Sequence, residues 1–312
     1  MSRSMRYPPR QEDARDGFIL VAALWILAAL AALVVIFSQH LSSSARVLRI
    51  GDEALQADAL VTAGVELAAY QLLLAKAEER PKQGGFRVRL GDDEVAVSFV
   101  TEAARIDLNA APKEMIANLF ATLGADGEAA NDYAERVVAW RTKPADKAAE
   151  QAEEALYASA GRNYGPRLAP FAHVEELPLV LGPPPWLVDR AMPFVTVFNG
   201  SAGIDVLTAA PEVIAALPGM TPLILKDFLA SRNSLSADTS AVAQALGPAG
   251  GTATTAKSRA WRLHISVSGA TGWRRGSVAV IAPGEGDLPY RVLSQEDEGP
   301  QTRNARVARR AS

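Results

Sequence analysis

The chain has 312 residues, of which 49% are hydrophobic and 21% charged, and its net charge at pH 7 is −3. This composition is typical of a folded protein and excludes both a disordered chain and nucleic-acid binding through overall charge. Because there is no cysteine, a disulfide scaffold, a thiolate metal site and a cysteine nucleophile are also excluded.

The first predicted element is a helix that begins with an unbroken apolar run. Residues 18–37 contain no charge and no proline, and a helix of about 20 residues spans the hydrocarbon core of a bilayer. The run is longer than the apolar part of a typical signal peptide, and no Ala-x-Ala site follows it. We therefore predict a single transmembrane segment. Arginines are more frequent before it than after it, which favours a cytoplasmic N-terminus and a periplasmic bulk.

The helical pattern continues beyond the membrane segment. Apolar residues recur every three or four positions as far as Leu72, and strong helix breakers appear only at Pro81 and Gly84-Gly85. We therefore predict one long helix over 18–80, which is apolar in its first third and amphipathic in the remainder.

A hairpin pattern follows this helix. Phe86–Leu90 and Val95–Val100 each alternate apolar and polar residues, and Gly91-Asp92-Asp93 lies between them. Alternation on both sides of a glycine-containing turn predicts a β-hairpin. The first part of a β-sheet is placed at 85–105.

Strand patterns return only near the C-terminus, within 260–295. They are Trp261–Ser268, Trp273–Ile281 and Tyr290–Leu293. One small antiparallel sheet is therefore predicted to be split by an inserted segment, 106–255. Residues 296–312 are first acidic and then arginine-rich, without apolar periodicity, and are predicted to form a disordered tail.

The inserted segment is predicted to be helical and contains an internal repeat, near 106–141 and 204–232. Both copies read Ile-Asp, a short spacer, Ala-Ala-Pro and an early glutamate. Asn109 and Thr208 precede the proline and are predicted to be helix N-caps, because their side-chain oxygens can accept from the free amides of a first turn. Proline suits that first turn, where its missing N–H costs nothing.

The second copy contains a turn at Pro218-Gly219 that resembles a helix-hairpin-helix. DNA-binding members of that class bind phosphate through backbone N–H groups, usually from Gly-x-Gly with basic residues nearby. Here Thr221-Pro222 replaces the second glycine, and proline has no N–H to donate. We predict structural use of this motif rather than DNA binding.

Gly17-Phe18 and the apolar run behind them resemble the N-terminus of type IV pilin-like proteins. In that family a short leader is cut after its final glycine. The resemblance implies a leader over 1–17, prepilin peptidase cleavage between Gly17 and Phe18, and N-methylation of Phe18. Asp16 departs from the basic residue that commonly precedes the glycine.

Ala22 would be the fifth residue of the mature chain. Pilin subunits generally carry a glutamate there, which can pair with the terminal amine of a neighbouring subunit. A buried carboxylate without a partner is costly. Absence of this glutamate is therefore expected in a subunit at the tip of a filament, with no neighbour ahead of it.

The whole layout resembles the K-type minor pseudopilins of the type II (general) secretion system. The most specific motifs are Asp-Leu-Asn-Ala-Ala-Pro at 107–112 and Phe-x-x-Val-Glu-Glu-Leu at 171–177. The resemblance implies an α+β, type IV pilin-like fold. Its long N-terminal helix, split sheet and large inserted α-helical domain would carry two helix-hairpin-helix/SAM-like repeats.

This resemblance also implies a non-enzymatic assembly subunit that caps the periplasmic pseudopilus tip and supports protein export across the outer membrane. The implied partners are the I-type and J-type minor pseudopilins, other pseudopilus subunits, the inner-membrane secretion platform, the prepilin peptidase and the lipid bilayer, with no nucleic acid. The implied location is the bacterial inner membrane.

No catalytic or cofactor motif is found in the sequence. His40, His173 and His264 are far apart and have no second ligand at metal spacing. Some K-type proteins bind calcium, but no ligand set can be assigned here, and the acidic groups 92–94 and 285–287 are predicted to be solvated turns. Two alternatives stay open: a membrane-anchored helix-hairpin-helix DNA-binding module of a DNA-uptake system, and a signal-anchored periplasmic enzyme.

Overall fold

The computed structural model describes residues 14–76, 79–235, 238–254, 258–286 and 288–298. Residues 1–13 of the predicted leader, 299–312 of the predicted tail and Asp287 of the predicted acidic turn lie outside the described residues. The chain forms two units, 1–59 and 60–312, and each is described by itself.

Helices and strands of the described residues follow one another as a long helix, a hairpin, a helical segment and three further strands. The α-helices are α1 (Ala14–Leu74), α2 (Lys113–Thr122), α3 (Gly127–Arg141), α4 (Lys147–Ser159), α5 (Pro185–Ala191), α6 (Pro211–Ala215), α7 (Pro222–Ser231) and α8 (Thr239–Leu246). The strands are β1 (Gln83–Leu90), β2 (Asp93–Thr101), β3 (Ile106–Asp107), β4 (Val195–Thr196), β5 (Ile204–Asp205), β6 (Ala253–Thr254), β7 (Trp261–Ser268), β8 (Arg274–Pro283) and β9 (Tyr290–Glu298). Short 3-10 helices lie at Glu102–Ala104, Val174–Leu179, Met192–Phe194, Arg232–Ser234 and Gly247–Thr252.

The described part of the first unit is helical throughout. Its window Val21–Ser38 has a mean hydropathy of 2.7, none of it is buried, and it is long and apolar enough to cross a membrane. Trp25 and Phe37 are 73% and 62% exposed. Keeping such a surface in water costs about 25 cal/mol per Å², so an apolar surrounding for this segment is favoured.

A second window of α1, Gly51–Leu74, has a lower mean hydropathy of 1.3, and 44% of it is buried. Burial of one face is typical of a helix that packs on a folded domain. In the second unit, a Cβ atom placed on Gly64 would lie 3.0 Å from Ile265 Cγ2 and 3.2 Å from Val95 Cγ1. The glycine therefore lets the helix approach the sheet closely.

The long helix ends earlier than predicted. It stops at Leu74 rather than at residue 80, although no helix breaker stands at 75. Pro81 disfavours helical backbone at Arg80, and the Glu79 N–H donates to the Lys76 carbonyl in a turn. The apolar periodicity does not record these local backbone features.

Five strands of the second unit form one antiparallel sheet in the order β1-β2-β7-β8-β9. β1 and β2 form the predicted hairpin, with Leu90 opposite Asp93. β2 and β7 are neighbours although the inserted segment separates them in sequence, and Thr101 pairs with Trp261. Strands from both sides of the insert therefore share one sheet, as the alternation predicts.

The last strand is longer than predicted. β9 continues to Glu298, whereas the pattern ended at Leu293 and placed the tail from residue 296. Glu296 pairs with Val278 of β8, and the register shifts between Val280 and Ile281. The residues of β9 after Leu293 are held by backbone pairing at an edge and show no alternation of apolar and polar residues, so the strand pattern in the sequence does not include them.

Two buried ion pairs lie where the insert meets the sheet. The fully buried Glu102 carboxylate accepts from Arg262 Nε of β7 at 2.8 Å and lies 3.7 Å from Arg105 Nε. Arg105 also donates to the Pro193 carbonyl at 2.8 Å. Burial and, to a smaller extent, the positive charge of the nearby Arg262 lower the pKa of Arg105 to about 10, while the negative charge of Glu102 opposes that shift.

The second of these ion pairs lies between Lys82, next to β1, and the fully buried Asp205 of β5, with Nζ and Oδ2 2.9 Å apart. Asp205 belongs to the second copy of the repeat. A charge buried in this way is stable only with a partner. The pair therefore fixes the position of the second repeat relative to the sheet.

A hydrogen bond also ties β9 to α1. The Tyr290 hydroxyl donates to Glu66 Oε1 at 2.7 Å. Burial, then the hydrogen bond to Glu66 and its charge, raises the pKa of Tyr290 to about 12. Because the folded-state pKa lies above the ordinary value, the contribution of this contact is complete below pH 10 and is lost as the pH rises toward 12.

Replacement of Glu66 by glutamine is expected to lower the pKa of Tyr290 toward 10, because the charged acceptor is removed. The measurement is the ultraviolet absorbance of tyrosinate against pH, with Tyr290→Phe used to subtract the other tyrosines. Identical titration of the wild type and Glu66→Gln would contradict the role of this contact.

Candidate functional site: the motif-bearing insert

The first repeat motif is built around a buried carboxylate. β3 pairs in parallel with β4, so that Ile106 lies opposite Val195. The Asp107 carboxylate accepts from the backbone N–H of Asn109 and from that of Gly200, both at 2.7 Å. Burial raises the pKa of Asp107, while these amide bonds and the charge of Arg141 oppose the shift. Asp107 therefore holds two distant parts of the insert together.

Asn109 does not cap a helix, in contrast to the sequence prediction. The residue at the N-cap of α2 is Pro112, which has no side-chain capping bond. The Asn109 amide instead donates to the Phe171 carbonyl at 3.0 Å and accepts from the Phe171 N–H at 2.7 Å. The two motifs that carry the family resemblance are thus in direct contact, which no local pattern could reveal.

Asn109→Ala is expected to lower the free energy of unfolding by about 1–3 kcal/mol, because it leaves both backbone groups of the buried Phe171 without their partner. Urea unfolding followed by tryptophan fluorescence measures the change. Asn131→Ala is the matched control, since Asn131 makes one exposed bond within its own helix, and little change is expected there. Equal losses for the two variants would contradict the proposed bridge.

The second motif also has a structural acid. Glu176 accepts from Trp140 Nε1, Arg167 Nη1 and the Ala172 N–H, each at 3.0 Å. The Trp140 and Phe171 rings lie 6.1 Å apart at 31°. Because three donors converge on its carboxylate, Glu176 organises the aromatic core around Trp140 and Phe171.

The second copy repeats this plan with different partners. β5 pairs in parallel with β6, and Ile204 lies opposite Ala253. The Thr208 hydroxyl donates to Asp205 Oδ2 at 3.1 Å. Its predicted N-cap role is therefore wrong: the N-cap of α6 is Ala210, and Pro211 occupies the first turn as expected.

An arginine binds the turn before the first helix in both copies. Arg141, at the end of α3, donates to the carbonyls of Leu108 and Ala111. Arg232, just after α7, donates to the Ala209 carbonyl at 2.8 Å. Arg141 and Arg232 thus both donate hydrogen bonds to carbonyl groups at the Ala-Ala-Pro turn of their copy.

The turn Pro218-Gly219 joins α6 to α7, where the sequence places it. Gly219 has a φ of +77°, a conformation that favours glycine. A Cβ on Gly219 would lie 3.4 Å from the Pro248 carbonyl oxygen. This side of the turn therefore faces protein, which favours structural use of the hairpin.

A corresponding turn in the first copy was missed by the sequence analysis. Gly124, between α2 and α3, has a φ of +105°, and Arg190 donates to the neighbouring Leu123 carbonyl at 3.1 Å. The signal was a Leu-Gly pair directly after the first helix. The spacing between this pair and the Ala-Ala-Pro motif differs from the spacing in the second copy, so the two turns do not align in the sequence.

The predicted processing residues lie at the start of α1. Gly17 and Phe18 fall within the helical backbone, and Ala22 lies one residue inside the apolar window Val21–Ser38, half-exposed. They belong to the first unit, and the Pro218-Gly219 turn belongs to the second. Cleavage, methylation and the meaning of Ala22 stay predictions.

The histidines occupy unrelated positions. His40 falls in α1, and His173 is exposed before a 3-10 helix. His264 Nδ1 lies 3.4 Å from Glu298 Oε1, and burial lowers its pKa although Glu298 opposes the shift. Across the part of the chain that the structure describes, no group of three or more His, Asp and Glu residues could hold a metal ion.

Comparison with known proteins supports a component of a secretion system. A family model described as "Type II secretion system (T2SS), protein K" matches residues 97–200. These residues contain both motifs and all of the first repeat. Comparison with curated proteins gives no match.

A solved chain has the same overall fold. It belongs to "The Crystal Structure of the GspK-GspI-GspJ complex from enterotoxigenic Escherichia coli Type 2 Secretion System", with a TM-score of 0.59 and 18% identity. The alignment covers 81% of this chain and 99% of that chain. The match to the protein K family model is thus confined to residues 97–200, whereas the structural likeness extends over most of the chain and shows a shared fold.

Proposed function

We propose that the protein is a minor pseudopilin that caps the tip of the type II secretion pseudopilus and supports export across the outer membrane. The observation that carries the proposal is the match of residues 97–200 to the protein K family, within a fold that spans nearly the whole of a chain from the GspK-GspI-GspJ complex. The role is assembly rather than catalysis.

The apolar start of α1 supports anchoring in the inner membrane. Val21–Ser38 is long and apolar enough to span a bilayer and none of it is buried. Because a packed helix bundle can replace lipid contacts with protein contacts, the same segment can serve first as an anchor and later in the core of a filament. Cleavage after Gly17 would leave it intact.

Ala22 supports a place at the tip. An unpaired carboxylate in an apolar surrounding is costly, so a subunit that caps a filament gains from lacking the glutamate of other pilin subunits. The insert, with its two proposed helix-hairpin-helix/SAM-like repeats, gives this tip its bulk. The proposed partners are the I-type and J-type minor pseudopilins, because the solved neighbour is a complex with GspI and GspJ.

The proposal is tested by co-expression of the full chain with the I-type and J-type minor pseudopilins of the same organism. A complex of all three proteins is expected after solubilisation in detergent. Deletion of the gene is expected to stop export, and the wild-type chain to restore it. Purification of the chain without either partner, together with normal export in the deletion strain, would contradict the proposal.

A further inference from the structure

Strand β1 is the outer strand at one side of the sheet, and its outer edge has no strand beside it among the described residues. All eight of its residues pair with β2 in regular register. The opposite edge differs, because β9 has a register shift and carries three consecutive acids, Glu296–Glu298. Bulges and dense charge block edge pairing. β1 is therefore the more open of the two edges.

The direction of the free backbone groups follows from one hydrogen bond. Thr101 N–H donates to the Lys82 carbonyl at 2.7 Å, directly before the Gln83–Val100 pair. Bonded and non-bonded pairs alternate in antiparallel sheets. The outward N–H and C=O groups of β1 therefore belong to Gln83, Gly85, Arg87 and Arg89.

The two faces of this edge have opposite character. Phe86 and Val88 lie opposite the buried Val97 and Val95, yet both remain half-exposed at the edge. Leu90 on the same face is 37% exposed. The arginines between them, Arg87 and Arg89, lie on the other face and are exposed. Glu94 of β2 lies opposite Arg89, and its Oε1 is 3.7 Å from Arg87 Nη1, so two arginines and one glutamate share that face. An added strand would meet apolar groups on one face and an excess of positive charge on the other.

The start of β1 is open to a neighbouring backbone, because Gly84 and Gly85 have no side chains to obstruct its approach. A shallow groove of about 580 Å³, lined by Gln83, Gly84, Ser98, Phe99, Val100 and His264, lies across β1, β2 and β7 rather than beside this outer edge.

We propose that β1 is the docking edge for an extended segment of another protein, which adds a sixth strand and carries alternating apolar and acidic side chains. Its apolar residues cover Phe86, Val88 and Leu90, and its carboxylates face Arg87 and Arg89. Backbone pairing supplies affinity and the alternating side chains supply specificity. A second copy of this chain is a poorer occupant, because the acids of its β9 edge are consecutive.

The test uses the full chain in detergent micelles and two synthetic peptides. The probe is acetyl-Thr-Val-Glu-Val-Glu-Val-Thr-amide, and the control replaces both glutamates with lysine. Hydrogen exchange of the Gly85, Arg87 and Arg89 amides is measured at increasing peptide concentration. The acidic peptide is expected to slow exchange about tenfold near saturation, and the lysine peptide to have no effect.

Three variants separate the effect of charge from that of backbone pairing. Arg87→Glu combined with Arg89→Glu is expected to weaken binding of the acidic peptide about tenfold, because two cross-strand charge pairs are lost. The same double variant is expected to bind the lysine peptide. Arg87→Pro removes an outward N–H and leaves pairing to β2 in place, so it is expected to abolish protection, whereas Arg87→Ser keeps the N–H and retains most of it.

Three outcomes would overturn the inference. They are equal protection by both peptides, no protection by either, and protection that rises with protein concentration in the absence of peptide. The last outcome would assign the edge to a second copy of this chain. None of these results depends on whether the pseudopilin complex forms, so the proposed function is tested separately.

Discussion

Co-expression with a prepilin peptidase is expected to give a mature chain that begins at Phe18. Gly17 is followed directly by the apolar run, so cleavage there leaves the membrane segment in place. N-terminal sequencing of protein purified from membranes, with and without the peptidase, measures the result. The expected effect is all-or-none, because cleavage at this position needs the enzyme.

Gly17→Leu is expected to abolish this cleavage, since the glycine that ends the leader is lost. Gly51→Leu is the matched control, because it lies in the same helix with nothing within 4 Å of an added Cβ, and it is expected to be cut normally. An intact N-terminus in the presence of peptidase would contradict the pilin assignment. A cut beyond Phe37 would instead indicate a signal peptide.

Glu102→Ala is expected to lower the free energy of unfolding by about 3–5 kcal/mol, the cost of leaving buried charges unpaired. Glu102 is fully buried, and both Arg262 and Arg105 lie against its carboxylate. Burial already lowers the pKa of Arg105, and loss of Glu102 removes the opposing attraction. Urea unfolding of the full chain in detergent, followed by tryptophan fluorescence, measures the change.

Glu135→Ala provides a control at the same distance. Glu135 Oε2 lies 2.8 Å from Lys113 Nζ, as close as Glu102 is to Arg262, but this pair is exposed. The Lys113 hydrogen bond and charge lower the pKa of Glu135. Solvent screens such a pair, so little loss of stability is expected. Similar losses in the two variants would refute the argument that burial decides the effect.

Long elements with a regular pattern of apolar residues were predictable from the sequence. The apolar start of α1 is an unbroken run of apolar residues, and the alternation in β2 and β7 records one face that is buried and one that is less so. The shared Ile-Asp and Ala-Ala-Pro patterns are likewise visible in the sequence. Periodicity is informative there because many successive residues obey the same constraint.

The roles of single polar residues were not predictable in this way. Asn109 reads as a helix cap, yet it binds Phe171, which is 62 positions away. The two-residue strands β3–β6 are too short to produce a pattern. Burial of Glu102 depends on Arg262, 160 positions away. Each of these features is fixed by tertiary contacts, which local propensity does not contain.

The pairing of Thr101 with Trp261 has a consequence for how such a chain can change during evolution. The insert follows Thr101 of β2 and precedes Trp261 of β7, and these two residues pair directly with each other. In an ordinary hairpin, a short turn would join two strands paired in this way. Closing a longer loop costs only about 0.6 kcal/mol for each doubling of its length. A whole helical module can thus be gained, lost or exchanged at one turn, while the five strands keep their order.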